Sequence, residues 1–151
     1  MIDDIPRKEI DRLLFNVMAA IFHFEQHKMA SFELNFEAFY LLYFLQRRSS
    51  ASMGEIAKEL NIHISTASRA IDRLEKRNLV LRKKNPKDKR TTLVCLEPEG
   101  ENMVNLSQDH SYEVIKKNIE HFKLDDLAAF VKTATAMGDL LNTKPHPSNN
   151  T

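Results

Sequence analysis

The sequence predicts a mainly α-helical protein with one β-hairpin, and three observations support this fold class. Apolar residues recur at three- and four-residue spacing along most of the chain, which is the periodicity of amphipathic helices. Only three Gly and five Pro occur in 151 residues. Two short segments, 79–82 and 91–96, have the composition of strands, and the charged stretch between them contains the turn signal Asn85-Pro86.

Residues 10–28 are predicted to form the first helix. Phe15 and Phe24 widen its apolar stripe, and a stripe of this width indicates burial on two sides, for example against a second subunit. A second helix is predicted to begin after Asn35, because asparagine is a favourable N-cap residue.

A short third helix is predicted from Ser52 to Leu60. Ser52 and Glu55 have the spacing of a capping box, in which each side chain accepts a hydrogen bond from the other residue's backbone. Asn61 follows the last apolar residue, where a left-handed C-cap is expected.

The fourth predicted helix, residues 64–77, has one apolar and one polar face. Its apolar residues lie at positions i, i+3, i+4 and i+7, namely Ala67, Ala70, Ile71 and Leu74. At about 100° per residue, the hydroxyl and basic side chains point the other way. Two short helices in close succession, the second with such a polar face, form a helix-turn-helix pattern, and the hairpin that follows forms a wing.

Positive charge is concentrated between His63 and Arg90. This segment contains ten basic and three acidic residues, a net charge of +7, so the other residues sum to −6 in a chain whose total is +1. A basic segment in an otherwise acidic chain is typical of a protein that binds a polyanion. A solvated charged surface is the alternative for such a run taken alone.

These features resemble a known family. The similarity is carried by Ser65-Thr-Ala-Ser-Arg-Ala-Ile-Asp-Arg-Leu-Glu-Lys-Arg-Asn-Leu-Val80, by Asn85-Pro-Lys-Asp-Lys-Arg90 and by Leu96-Glu-Pro-Glu-Gly100. Together they resemble the multiple-antibiotic-resistance regulator (MarR) family of winged-helix transcription regulators, over about residues 10–141. Two departures are His63, where the family usually has a serine N-cap, and Asn61, where glycine is commoner.

The resemblance implies a winged helix-turn-helix with a two-stranded β-wing and with dimerisation helices at both ends. Residues 1–34 would be the N-terminal dimerisation helix, 35–97 the DNA-binding region, and 98–142 the C-terminal dimerisation helices, of which the first has Pro98 in its first turn. Residues 143–151 are predicted to be a disordered tail. The family binds pseudo-palindromic DNA as homodimers, most often as repressors, and often responds to a small ligand.

The polar face of the fourth helix suits a DNA major groove. Short hydroxyl side chains at Ser65, Thr66 and Ser68 can hydrogen-bond base edges and phosphates. Arg69 has the reach for a bidentate contact with guanine. Arg73 and Lys76 are assigned to phosphates, and Asp72 is expected to pair with Arg69, Arg73 or Lys76.

The wing supplies the remaining predicted contacts. Arg90 is the candidate for insertion into the minor groove, and Asp88 is expected to brace it. Lys84, together with Lys83, Lys87 and Lys89, would attract phosphates without regard to sequence. The alternative function is a winged-helix protein-interaction module that places this basic face on an acidic partner.

Other kinds of site find less support. His23 and His27 are one helical turn apart, but two ligands do not make a closed zinc site, so no metal and no cofactor are predicted. Cys95 alternates with Val94 and Leu96, the pair expected to face the core, and reads as an ordinary strand residue. No phosphate-binding loop, nucleophile elbow or paired carboxylates indicate an enzyme. One cysteine, no signal-peptide pattern and no apolar run of about 20 residues indicate a cytoplasmic protein that does not enter a membrane.

An aromatic-rich patch leaves two interpretations open. Its members occur between the first and second predicted helices and along the second: Phe32, Phe36, Phe39, Tyr40, Tyr43 and Phe44. Core packing is the favoured interpretation. A cleft that holds a small-molecule effector is the other, and such a ligand would act by changing the separation of the two DNA-reading helices in a dimer.

Overall fold

The order of helices and strands follows the predicted pattern in a computed structural model that describes residues 5–143. Along the chain these are α1 (Arg7–Ala30), α2 (Phe36–Arg48), β1 (Ala51–Ser52), α3 (Met53–Glu59), α4 (Ile64–Lys76), β2 (Val80–Lys84), β3 (Thr92–Leu96), α5 (Pro98–Asn118), a 3₁₀ turn (Ile119–His121), α6 (Leu124–Thr135) and α7 (Met137–Leu140). The mainly α-helical winged helix-turn-helix is confirmed. The predicted tail lies outside the described residues apart from Thr143.

The helix caps read from the sequence are present. Asn35 Oδ1 accepts a hydrogen bond from the Ala38 amide at 2.9 Å. Ser52 and Glu55 form the capping box, with Glu55 Oε2 2.8 Å from the Ser52 amide. Asn61 has a φ of 51°, the left-handed conformation predicted for it. His63 caps α4 with no side-chain hydrogen bond.

The sheet has three strands, where the sequence predicted two. β2 and β3 form the expected antiparallel hairpin, with Val80 opposite Leu96 and Lys84 opposite Thr92. β1 pairs with the other edge of β3, so the strand order is β1-β3-β2. Two residues are too few to show an alternating pattern, and for that reason β1 was missed. We call β2, β3 and the loop between them the wing.

The chain divides into two compact units, the first ending at Tyr40 and the second beginning at Leu41. In the first unit, Lys28 is only 3% exposed. Its Nζ lies 2.8 Å from Glu25 Oε1 and 5.2 Å from the centre of the Phe24 ring. Phe39 is buried against Phe32, whereas Phe36 and Tyr40 are exposed and stack on each other. At least Phe39 of the aromatic patch is therefore core.

In the second unit, side chains from α2, α3, α4, the sheet and α5 are buried. The largest fully buried apolar ones are Leu41, Leu42, Leu45, Ile56, Ile71, Leu74, Leu79, Val80, Val94 and Val104. α5 begins close to the loop before β2: the Glu97 amide donates to the Leu79 carbonyl at 3.0 Å, and Gly100 is buried. Farther along α5, the buried Ser107 Oγ lies 3.2 Å from the Tyr43 hydroxyl of α2.

Large apolar side chains remain exposed on α1, α5 and α6. On α1 these are Leu13, Leu14, Phe15, Val17, Met18, Ile21 and Phe22, and on α5 and α6 they include Leu106, Ile115, Leu124, Phe130 and Val131. Single exposed apolar residues are normal on a protein surface. Each of these helices instead exposes several large apolar side chains, and such a surface is typical of an interaction site.

Candidate nucleic-acid interface

α4 presents the two faces that its periodicity predicted. Ala67, Ile71 and Leu74 are at most 1% exposed and fix the helix on the core. Five of the predicted DNA-binding residues lie on its exposed surface: Ser65, Thr66, Arg69, Arg73 and Lys76. α4 has no acidic residue in its first turn, and Arg73 and Lys76 lie in its last turn.

Ser68 lies apart from the other hydroxyl residues of α4. It is half-buried, and its Oγ accepts a long hydrogen bond of 3.4 Å from Arg82 Nη2 of β2. Its side chain is therefore at the flank of the helix that adjoins the wing, while Ser65 and Thr66 are exposed nearer the N-terminus of α4.

Asp72 pairs with a residue that the sequence analysis did not consider. We expected Arg69, Arg73 or Lys76 as its partner, but Asp72 Oδ1 lies 2.7 Å from Arg82 Nη2. Arg82 Nη1 also pairs with Glu75 Oε2, and the Arg82 amide donates to Glu75 Oε1 at 3.2 Å. β2 runs beside α4, so the planar guanidinium spans two carboxylates three residues apart.

The wing loop is organised by its own polar side chains. Asp88 Oδ1 accepts a hydrogen bond from the Arg90 amide at 3.0 Å, and Asp88 Oδ2 accepts one from Thr91 Oγ1 at 2.9 Å. Asn85 Oδ1 accepts one from the Lys87 amide at 3.0 Å. Asp88 thus holds the backbone of Arg90 in place. This contact fixes the position from which the Arg90 side chain extends.

Five of the six basic side chains of the wing are exposed. This holds for Lys83 and Lys84 at the end of β2 and for Lys87, Lys89 and Arg90 in the loop. Together with Arg69, Arg73 and Lys76 of α4 they account for most of the basic charge between His63 and Arg90. The exposed basic surface therefore comes from one helix and from the hairpin that Arg82 joins to it.

The remaining sequence candidates are two histidines and one cysteine. His23 and His27 are exposed on α1, and no group of three His, Cys, Asp or Glu that could hold a metal occurs within residues 5–143. Cys95 is buried in β3. Among the helices described, none is both long enough and apolar enough to span a membrane.

Comparison with known proteins identifies the domain. The model of the MarR family matches residues 34–92, which include every predicted DNA-binding residue. The chain contains a MarR-family domain. The MarR-family match begins just before α2 and ends at the first residue of β3, so it covers the helix-turn-helix and most of the wing.

Relatives of this chain are named as helix-turn-helix transcriptional regulators. YsmB of Bacillus subtilis, an uncharacterized HTH-type transcriptional regulator, is 26% identical over 83% of this chain and 86% of its own length. The HTH-type transcriptional regulator Hpr of Exiguobacterium sibiricum is 38% identical, over 52% of this chain and 42% of its own length. The chain thus matches most of YsmB but less than half of Hpr.

A solved structure shows the same fold. FabT of Streptococcus pneumoniae, determined in complex with DNA, superposes with a TM-score of 0.77 at 15% identity, covering 91% of this chain and 98% of FabT. The chain therefore has the same helix-turn-helix fold as FabT.

Proposed function

We propose that this chain is a homodimeric transcription regulator that binds duplex DNA sequence-specifically, with α4 in the major groove and Arg90 of the wing in the minor groove. The observation that carries the proposal is one exposed surface that combines short hydroxyl side chains, arginines at helical spacing and a basic hairpin tip. The complex of FabT with DNA supports the same use of the fold.

The residues divide by the kind of contact they make. Ser65, Thr66, Ser68 and Arg69 read base edges, with Ser68 at the flank beside the wing. Arg73, Lys76 and Lys84 bind phosphates, and Asp88 holds the loop from which Arg90 enters the minor groove. Phosphate contacts supply most of the affinity and base contacts most of the discrimination.

Selection from random DNA tests this function. The purified protein is mixed with a pool of random duplexes, bound DNA is sequenced, and affinities are measured by fluorescence anisotropy at two salt concentrations. We expect a two-fold-symmetric motif, and an affinity that falls about 10³- to 10⁵-fold between about 50 and 200 mM salt if six to ten phosphates are contacted. Salt-sensitive binding without a motif would refute sequence-specific recognition and favour an acidic protein partner.

A second copy of the chain covers the apolar helix surfaces in this proposal. The apolar area exposed on α1, α5 and α6 is larger than a monomeric protein usually exposes to water, and a symmetric dimer would bury it. A dimer places two copies of α4 about 34 Å apart, one helical turn of DNA, which is the spacing that a pseudo-palindromic operator requires.

Replacing Phe130 with Glu should dissociate this dimer. Phe130 is 67% exposed on α6, and a carboxylate in its place would be buried without a partner in the interface. By light scattering coupled to size-exclusion chromatography, the wild type should have twice the 17.5 kDa mass of one chain and Phe130→Glu the single mass. Ala129→Glu is the control, because Ala129 is exposed about 160° away from the centre of the apolar face of α6. A monomeric wild type would contradict the proposal.

In the cell, such a dimer works in the cytoplasm and represses the promoter that its operator overlaps. A small ligand releases it by altering the separation of the two copies of α4, so that both can no longer reach the DNA together. The stacked and exposed rings of Phe36 and Tyr40 are the apolar surface that we assign to this effector.

A further inference from the structure

We infer that Arg82 is a positioning residue for DNA recognition: it locks α4 and the wing into one body, so that major-groove and minor-groove contacts form together. This inference rests on the proposed function. It assigns to Arg82 a role different from that of the neighbouring lysines, although all three basic residues are consecutive in β2.

The contacts of Arg82 occupy its guanidinium within the protein. Nη2 lies 2.7 Å from Asp72 Oδ1 and 3.3 Å from the Ser68 carbonyl, and Nη1 pairs with Glu75 Oε2. All three acceptors belong to α4. The Arg82 side chain is 24% exposed, whereas Lys83 and Lys84 are exposed residues.

Two physical consequences follow from this arrangement. A planar fork bound to acceptors on three residues of α4 fixes the orientation of β2 relative to that helix far better than a single flexible ion pair would. Arg82 also reduces the repulsion between Asp72 and Glu75, two like charges one turn apart on α4, because its single positive charge lies between them.

Fixing the two elements matters because the DNA contacts of α4 and of the wing lie in different grooves. If Arg69 and Arg90 are held in one rigid body, the binding of one side chain in its groove brings the other side chain to its own groove. The entropy cost of fixing the helix relative to the wing is then already included in folding and does not reduce the affinity for DNA. Without Arg82, β2 would keep its pairing with β3, but the hairpin would lose its fixed angle to α4.

The first test compares Arg82→Gln with Lys84→Gln, which removes the same charge from the same strand. Anisotropy is measured with the selected duplex and with a scrambled duplex of equal length over a range of salt. For Lys84→Gln we expect weaker binding to both duplexes and a salt slope smaller by about 1.8, as for two lost phosphate contacts, one in each half-site. For Arg82→Gln we expect at least tenfold weaker binding to the selected duplex, little change with the scrambled one, and an unchanged slope.

The second test measures coupling between helix and wing. Arg69→Ala and Arg90→Ala are made singly and together, with Arg82 intact and in the Arg82→Gln background. We expect the two losses to be non-additive by about 3- to 10-fold when Arg82 is intact, and additive in the Arg82→Gln background. A residue that only stabilises the fold would not change this coupling in protein that circular dichroism shows to be folded.

Arg82→Lys keeps the test decisive if Arg82→Gln does not fold. Lysine retains the charge but not the fork, so we expect a folded protein with reduced discrimination and reduced coupling. A slope reduced by about 1.8 with uniform weakening would make Arg82 a phosphate contact in both half-sites and overturn the inference, as would equal coupling in both backgrounds. If the wild type itself selects no motif, the proposed function is wrong and the inference fails with it.

Discussion

Gly100→Ala is expected to destabilise the fold by about 3 kcal/mol. A Cβ at position 100 would lie 2.1 Å from the carbonyl oxygen of Leu79 and 3.0 Å from its carbonyl carbon. That carbonyl cannot easily move away, because it accepts a hydrogen bond from the Glu97 amide and the Leu79 amide is itself bonded to Leu74. The clash therefore has to be relieved by shifting α5 or the start of β2.

Urea denaturation followed by circular dichroism measures this loss. Gly54→Ala is the matched control: Gly54 also lies in a helix, α3, and nothing is within 4 Å of its added Cβ. For the control we expect stability to be unchanged or raised by about 0.5 kcal/mol, because alanine restricts the unfolded chain and favours helix. Equal midpoints for Gly100→Ala and the wild type would show that α5 does not approach Leu79 this closely.

Arg69→Ala is expected to weaken binding to the selected duplex by about 30-fold to 10⁴-fold. A bidentate arginine–guanine contact contributes about 1–3 kcal/mol, and in a homodimer each substitution removes it from both half-sites. Arg69 lies on the exposed face of α4 near the hydroxyl residues, where it meets base edges in the proposed complex. Arg90→Ala should give a loss of the same kind, concentrated on duplexes with narrow A·T-rich minor grooves.

Competition binding with single-base variants of the selected duplex provides the measurement. Arg69→Ala should lose discrimination at one position of each half-site, while Lys117→Ala, which removes an exposed positive charge from α5, should change affinity by no more than about twofold. If binding to all variants were weakened equally, Arg69 would contact a phosphate and not a base, and the assignment made here would be wrong.

Most of the fold was predictable because its signals are local. The faces of α4 follow from the spacing of Ala67, Ile71 and Leu74, and the capping box from Ser52 and Glu55 three residues apart. Strand β1 escaped prediction because it has only two residues and pairs with β3, which lies far along the chain. A two-residue segment that pairs with a distant strand shows no sequence pattern that would predict the pairing.

For the candidate site, the positions that depend on local spacing and on charge were predictable, and contacts between elements were not. The exposed positions of Ser65, Arg69 and the wing lysines follow from helical spacing and from charge. The partner of Asp72 does not, because Arg82 is ten residues away in another element, and helical spacing suggests only partners within α4. The sequence did contain one signal for this contact. Two acidic residues lie three residues apart on the helix, and an arginine follows in the next strand.

The order of the strands also bears on solubility. β2 is an edge strand, and exposed edges can pair with other chains and lead to aggregation. Lys83 and Lys84 place charge along that edge, and Glu75 occupies the Arg82 amide, while β1 at the opposite edge is only two residues long. The basic residues that we assign to DNA therefore also keep the sheet from extending into a neighbouring molecule.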